Sequence, residues 1–186
     1  MANLVLQPLS SFILVTTTPN DYVSTNFTVR ELVRSELATR LNLPNWFQSN
    51  DELRNAVRVC REVLQPIRDR FWPFTPNSVY RSQALERKLK GKPANWKSKS
   101  QHTRGEAADI EVSGLTNLEL ARWIRDHLPH DQLIAEFVKL DDPTSGWVHV
   151  SLRENNNRGE VLTFDGIRYT KGLWTDGKTY RSLSDL

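Results

Sequence analysis

The sequence predicts an α+β fold in which N-terminal helices pack on a small antiparallel sheet. Three observations carry this. Capping boxes at Thr28-Val29-Arg30-Glu31, Ser49-Asn50-Asp51-Glu52 and Thr116-Asn117-Leu118-Glu119 open segments with apolar residues at spacings of three and four. Residues 107–112 and 148–152 alternate apolar and polar, the period of a strand with one buried face. Asp165-Gly166 and Asp176-Gly177 lie among β-formers such as Tyr169, Trp174 and Tyr180, the pattern of tight hairpins. Helices come first and strands follow, with one helix inserted between them, which is the order of an α+β domain.

Residues 1–26 have no clean period and read as an arm with one short strand over 12–15. From Thr28, the positions Leu32, Val33, Leu37 and Leu41 predict a helix reaching Leu43-Pro44. The stripe Leu53, Ala56, Val57, Cys60, Val63, Leu64, Ile67 and Phe71 predicts one long helix ending near Arg70, kinked at Pro66. Residues 78–81 read as extended. Ser82 caps a short helix to Lys90, stopped by Gly91-Lys92-Pro93, and 92–105 read as a basic loop. After the strand at 107–112, Leu120, Ala121, Ile124 and Leu128 mark a helix, and 132–138 read as an apolar strand.

At 186 residues and 21.5 kDa the chain is expected to bury about 70% of its extended surface, enough for one core. Residues 27–158 form the expected domain, and 159–186 a hairpin-rich extension of it. One cysteine, Cys60, excludes an intramolecular disulfide framework and a thiolate metal cluster; its place in the apolar stripe makes it core filler. The longest apolar run, 12–15, is too short to cross a bilayer, so no membrane insertion is expected. The N-terminus lacks the pattern of a secretory signal, so the expected location is the cytoplasm of the producing cell.

The net charge of +3 is unevenly spread. Residues 81–104 hold eight basic side chains against Glu86 alone, a local +7 that leaves the rest at −4. The segment reads either as a rim that attracts anionic ligands or as a solvated loop. No nucleic-acid-binding motif accompanies the charge, and no nucleic-acid partner is expected.

The chemistry gathers around His102, Asp109 and His149. Ala108, Ile110 and Val112 share one face of their strand, so Asp109 points to the other. Val148, Val150 and Leu152 do the same for His149. If the strands pair, Asp109 and His149 emerge side by side. Gly105 can take positive φ and fold His102 back toward Asp109. Two imidazoles and a carboxylate suit zinc with one open position, where a bound water becomes nucleophilic near neutral pH. Spacing alone does not separate this from a surface histidine beside a turn aspartate. Glu136, thirteen residues before His149 across a turn at 141–146, strengthens the metal reading: in a hairpin it lies beside His149, placed to accept and return a proton. Arg81, leaving an extended segment, could neutralise an oxyanion or clamp a carboxylate. His127 and His130 suit ordinary polar roles at a helix end.

Ser100-x-His102-x-x-Gly105-x-Ala107-x-Asp109-Ile110, followed by Trp147-Val148-His149-Val150-Ser151, resembles the zinc D-Ala-D-Ala carboxypeptidases. The L-alanyl-D-glutamate endolysins and, more distantly, the hedgehog signalling domain are relatives. Tyr80-Arg81-Ser82 and Leu64-Gln65-Pro66-Ile67-Arg68 fit phage-type members, and the likeness runs from about Phe27 to Arg158. It implies a zinc peptidase acting on peptidoglycan stem peptides. His102, Asp109 and His149 match the metal ligands, Arg81 the arginine facing the substrate or transition state, and Ser100 a position near the substrate. Several branches carry an acidic base three residues before the last ligand, where this chain has Gly146. Others place a glutamate at the end of the preceding strand, so the base is assigned to Glu136, with Asp142 as the fallback.

The expected function is zinc-dependent hydrolysis of a peptide bond in the bacterial cell wall, by a phage lysin or a murein carboxypeptidase. The enzyme is expected to be monomeric and to act at the wall or be carried in a virion. A peptidase for small D-amino-acid dipeptides is a third option. The alternative of another class is a phage structural or binding module with structural zinc and no turnover.

Overall fold

The computed structural model describes residues 7–139, 141–142 and 144–174. The arm contains a 3-10 turn, Leu9–Ser11, followed by turns, and not the strand expected over 12–15. Phe12 and Val23 are buried in the same core as the rest of the chain, and Asn50 Oδ1 accepts the Leu14 amide at 3.0 Å.

The helix expected from Thr28 to Leu43 is two short ones, α1 (Val29–Leu32) and α2 (Glu36–Arg40). Ser35 divides them, because its side chain accepts the Ala38 amide and caps a new helix. The long amphipathic segment is continuous but not uniform. α3 (Asn50–Val59) passes into a π-helical stretch, Cys60–Leu64, and then α4 (Gln65–Arg70). The wider turn lies just ahead of Pro66, which has no amide to give the helical ladder. Ser49 caps α3 as expected. The Glu52 carboxylate, however, accepts from the Gln48 amide and the Tyr80 hydroxyl, tying the helix start to the segment that carries Arg81. α5 (Gln83–Leu89) is capped by Ser82, and α6 (Asn117–His127) has the full Thr116–Glu119 capping box.

The sheet has five strands in the order β1-β3-β2-β4-β5: β1 (Ala107–Ile110), β2 (Gln132–Glu136), β3 (Trp147–Ser151), β4 (Glu160–Phe164) and β5 (Tyr169–Lys171). It is mixed and not antiparallel throughout, since β4 runs parallel to β2. Topology requires this. β3 is flanked by β1 and β2, and Ser78 bridges to the outer edge of β1, so the chain leaving β3 adds to the free edge of β2. A strand antiparallel to β3 is then parallel to β2. Loop 152–159 crosses the end of β2, where Arg158 donates to the fully buried Asp131 and Glu160 N donates to Asp131 O. The hairpin at Asp165-Gly166 joins β4 to β5 as expected; Asp176-Gly177 lies outside the described residues.

One face of the sheet, with Ala108, Ile110, Leu133, Ala135, Val148 and Val150, packs into the core against α3 and α6. Its other face carries the polar residues at the alternate positions. Cys60 is fully buried in the core, 3.4 Å from the Ser24 hydroxyl. No helix among the described residues is long and apolar enough to cross a membrane.

Candidate metal centre

β1 and β3 pair so that Asp109 lies directly opposite His149, with Ile134 of β2 on the far side of His149. His102 reaches the same place from a 3-10 turn, Gln101–Arg104, which folds back over β1 as expected. Gly105 makes this possible with φ of 72°. It also lies so close to α3 that a Cβ there would stand 2.2 Å from the Glu52 carbonyl oxygen. Asn55 of α3 donates to the Arg104 carbonyl and Gln101 donates to Asp131, so the turn is held from both sides.

The three side chains converge. Asp109 Oδ1 lies 2.9 Å from His149 Nδ1 and 3.1 Å from His102 Nε2, and the two ring nitrogens are 3.3 Å apart. These donor atoms all lie within 4.8 Å of one another, a geometry able to hold one metal ion. The other nitrogen of His102, Nδ1, is 2.8 Å from the Val79 carbonyl oxygen. A carbonyl only accepts, so Nδ1 carries the proton and Nε2 presents its lone pair to the cluster. Burial pushes the His102 pKa down, outweighing the pull of Asp109, and keeps the ring neutral. A neutral imidazole lone pair facing a carboxylate oxygen is a contact that a cation would satisfy.

Arg81 is delivered by the extended segment at 77–81, which runs along the free edge of β1. Ser78 bridges to Asp109, and Arg81 N donates to the His102 carbonyl. Its Nη2 lies 3.6 Å from Asp109 Oδ2, and its Nε lies 3.5 Å from Glu86 Oε2. Glu136 ends β2 on the same face as His149, but its direct partner is Trp147, one pleat further along. Burial raises the Glu136 pKa, opposed by His149, Arg81 and Lys90. Ser100 opens the 3-10 turn and borders the cleft, with its carbonyl oxygen accepting from Thr103. Asp142 is exposed in the β2–β3 turn, where its carboxylate accepts from Thr144, and it does not line the cleft.

These groups line one cleft of about 840 Å³. Of the basic segment, Arg81, Lys90, Lys92 and Lys99 reach it. A second wall is aromatic and is not foreseen from periodicity. Phe137 contacts Trp147 at 4.9 Å and Phe164 at 5.1 Å, and Phe164 stacks on Tyr169 at 4.4 Å. Trp147 and Phe164 follow from strand alternation once the register is known. Phe137 lines the cleft although strand alternation would send it to the core, and its φ is 57°. Glu86, whose side chain is only 2% exposed, is the other group that sequence reasoning passes over, its signal being the lone acid in a basic run. His127 stacks on Trp123, and His130 Nδ1 lies 3.1 Å from the Leu128 carbonyl oxygen, both away from the cleft.

Residues 25–151 match the family model of peptidase M15. The matched stretch holds His102, Asp109 and His149 together with Arg81, Ser100 and Glu136. No curated protein matches the chain.

Proposed function

The chain belongs to the peptidase M15 family, and from that premise we propose that it is a zinc metallopeptidase hydrolysing a peptide bond in peptidoglycan stem peptides or cross-links. The observation that carries this reading is the convergence of His102 Nε2, Asp109 Oδ1 and His149 Nδ1 on one point of a cleft shared with Arg81 and Glu136. Two imidazole nitrogens and one carboxylate oxygen are the donor set of a catalytic zinc that keeps a position for water or substrate. Zinc held there would supply Lewis acidity and lower the pKa of a water molecule that it binds.

The chain's own groups do the rest. Glu136 takes the proton that the attacking water loses and returns it to the leaving amine as the C–N bond breaks. Its pKa, raised by burial, favours its holding the proton that it then returns to the amine. Arg81 faces the charge that develops on the carbonyl oxygen, or a carboxylate of the substrate. Val79 fixes the His102 tautomer through its carbonyl. Ser100, at the head of the metal-bearing turn, contacts the bound peptide. Lys90, Lys92 and Lys99 form a positive wall that draws in stem peptides bearing free carboxylates. The reading covers a phage lysin or a murein carboxypeptidase, with the protein working as a monomer at the cell wall.

The test is cleavage of purified peptidoglycan by the wild type and by Glu136→Gln. The variant should retain zinc and lose about 10²–10⁴-fold in kcat. Full turnover by Glu136→Gln would remove Glu136 as the base.

A further inference from the structure

Glu86 takes no part in the chemistry above, yet its carboxylate is buried in the wall of the reaction cleft. It sits in α5, one turn after Ser82, and its Oε2 makes no hydrogen bond. The atom that faces it is Arg81 Nε, 3.5 Å away, which is likewise buried and makes none. A buried carboxylate oxygen and a buried guanidinium N–H without other partners cost free energy unless they satisfy each other.

The charges explain why such a contact is needed. Arg81 shares the cleft with Lys90, Lys92 and Lys99. Its other anionic neighbours are Asp109, 3.6 Å from Nη2, whose charge is committed to the His102 and His149 cluster, and Glu136, which feels the guanidinium across the cleft and is the base in the reading above. A divalent cation in that cluster would turn the balance of the site positive and push the guanidinium toward solvent. Among residues 81–104, Glu86 is the one acid available to oppose that push.

We propose that Glu86 is a positioning residue: it holds Arg81 by Nε, so that the Nη edge of the guanidinium stays over the ligand cluster and faces the substrate. The inference rests on the peptidase reading for its catalytic consequence, but the contact itself does not. An arginine held at one end by a buried carboxylate has its rotamer ordered before the substrate arrives, which lowers the ordering cost of each binding event.

The experiment has two readouts. The first needs no turnover. In the metal-free protein, the Arg81 Nε–H resonance, assigned by its loss in Arg81→Lys, is followed by hydrogen exchange in NMR. Slow exchange in the wild type, at least about tenfold faster in Glu86→Gln, is the expected result. Exchange at the solvent rate in the wild type overturns the proposal without any variant. The second readout is a double-mutant cycle on kcat/KM with zinc content and thermal midpoint recorded alongside. Glu86→Gln should lower kcat/KM about tenfold at unchanged zinc stoichiometry and have no further effect in an Arg81→Ala background. An undiminished effect in that background overturns the proposal, because Glu86 would then act independently of Arg81. If Glu86→Gln does not fold, Glu86→Asp takes its place, with accelerated Nε–H exchange expected from the shorter reach. Absence of any peptidase activity would defeat the function proposed above and leave the exchange readout standing.

Discussion

The Nδ1 of His102 donates to the Val79 carbonyl oxygen at 2.8 Å, and this bond decides which ring nitrogen faces Asp109. Val79 lies on the extended segment that also delivers Arg81. The same segment therefore sets the His102 tautomer and the position of the guanidinium.

The convergent donor set predicts metal-linked stability. At free zinc 100-fold above its dissociation constant, the folded state gains about 2.7 kcal/mol, a rise of roughly 5–10 °C in the unfolding midpoint for a chain of this size. Thermal unfolding with zinc and with a chelator checks this, and His102→Ala should abolish the difference.

The acid limb of the pH profile should follow Glu136. The base must be ionised to accept a proton, and burial raises its pKa, so kcat/KM should fall at a higher pH than an ordinary glutamate would give. Lys90 favours the ionised form. Lys90→Ala therefore moves the acid limb to still higher pH, and added salt should reduce the difference between the two profiles.

Gly105 should not tolerate a side chain. Its φ is 72°, and a Cβ would stand 2.2 Å from the backbone oxygen of Glu52, which cannot move without shifting α3. Gly105→Ala should destabilise the protein by about 3 kcal/mol or more, and it should weaken zinc binding as the 3-10 turn is displaced. Denaturant unfolding and zinc competition measure the two effects.

Cys60 should be inert in the folded protein. It is fully buried, and burial pushes its thiol pKa up to about 12. A thiol reagent at neutral pH should label it only as fast as the protein opens, with rapid stoichiometric labelling in denaturant.

The convergence of His102, Asp109 and His149 was legible in the sequence because strand alternation is rigid. Ala108 and Ile110 facing the core force Asp109 outward, and Val148 and Val150 do the same for His149. Gly105 announced the fold-back that brings His102 to them. Partner choice was not legible. Nothing in residues 160–164 distinguishes a strand that pairs antiparallel with its predecessor from one that must join β2 because β3 is already flanked. Local competition also escaped periodicity, as where Ser35 caps a second helix inside one apolar stripe. Gly146 stands where several branches of the resembling family carry an acid, and the backbone there leaves no space for one. With φ of 71°, a Cβ at Gly146 would fall 1.7 Å from the Glu136 carbonyl oxygen, so the turn has no room for an acidic side chain. Glu86 and Phe137 depend on tertiary contacts and backbone conformation that no one-dimensional pattern encodes.

Whether the protein hydrolyses a cell-wall peptide is read directly by mass spectrometry of a defined muropeptide after incubation with the purified protein, with metal content measured on the same sample. One zinc per chain is expected, with two fragments whose masses sum to the substrate plus one water, one of them bearing a new amino group. One zinc per chain with the muropeptide intact would contradict the proposed function.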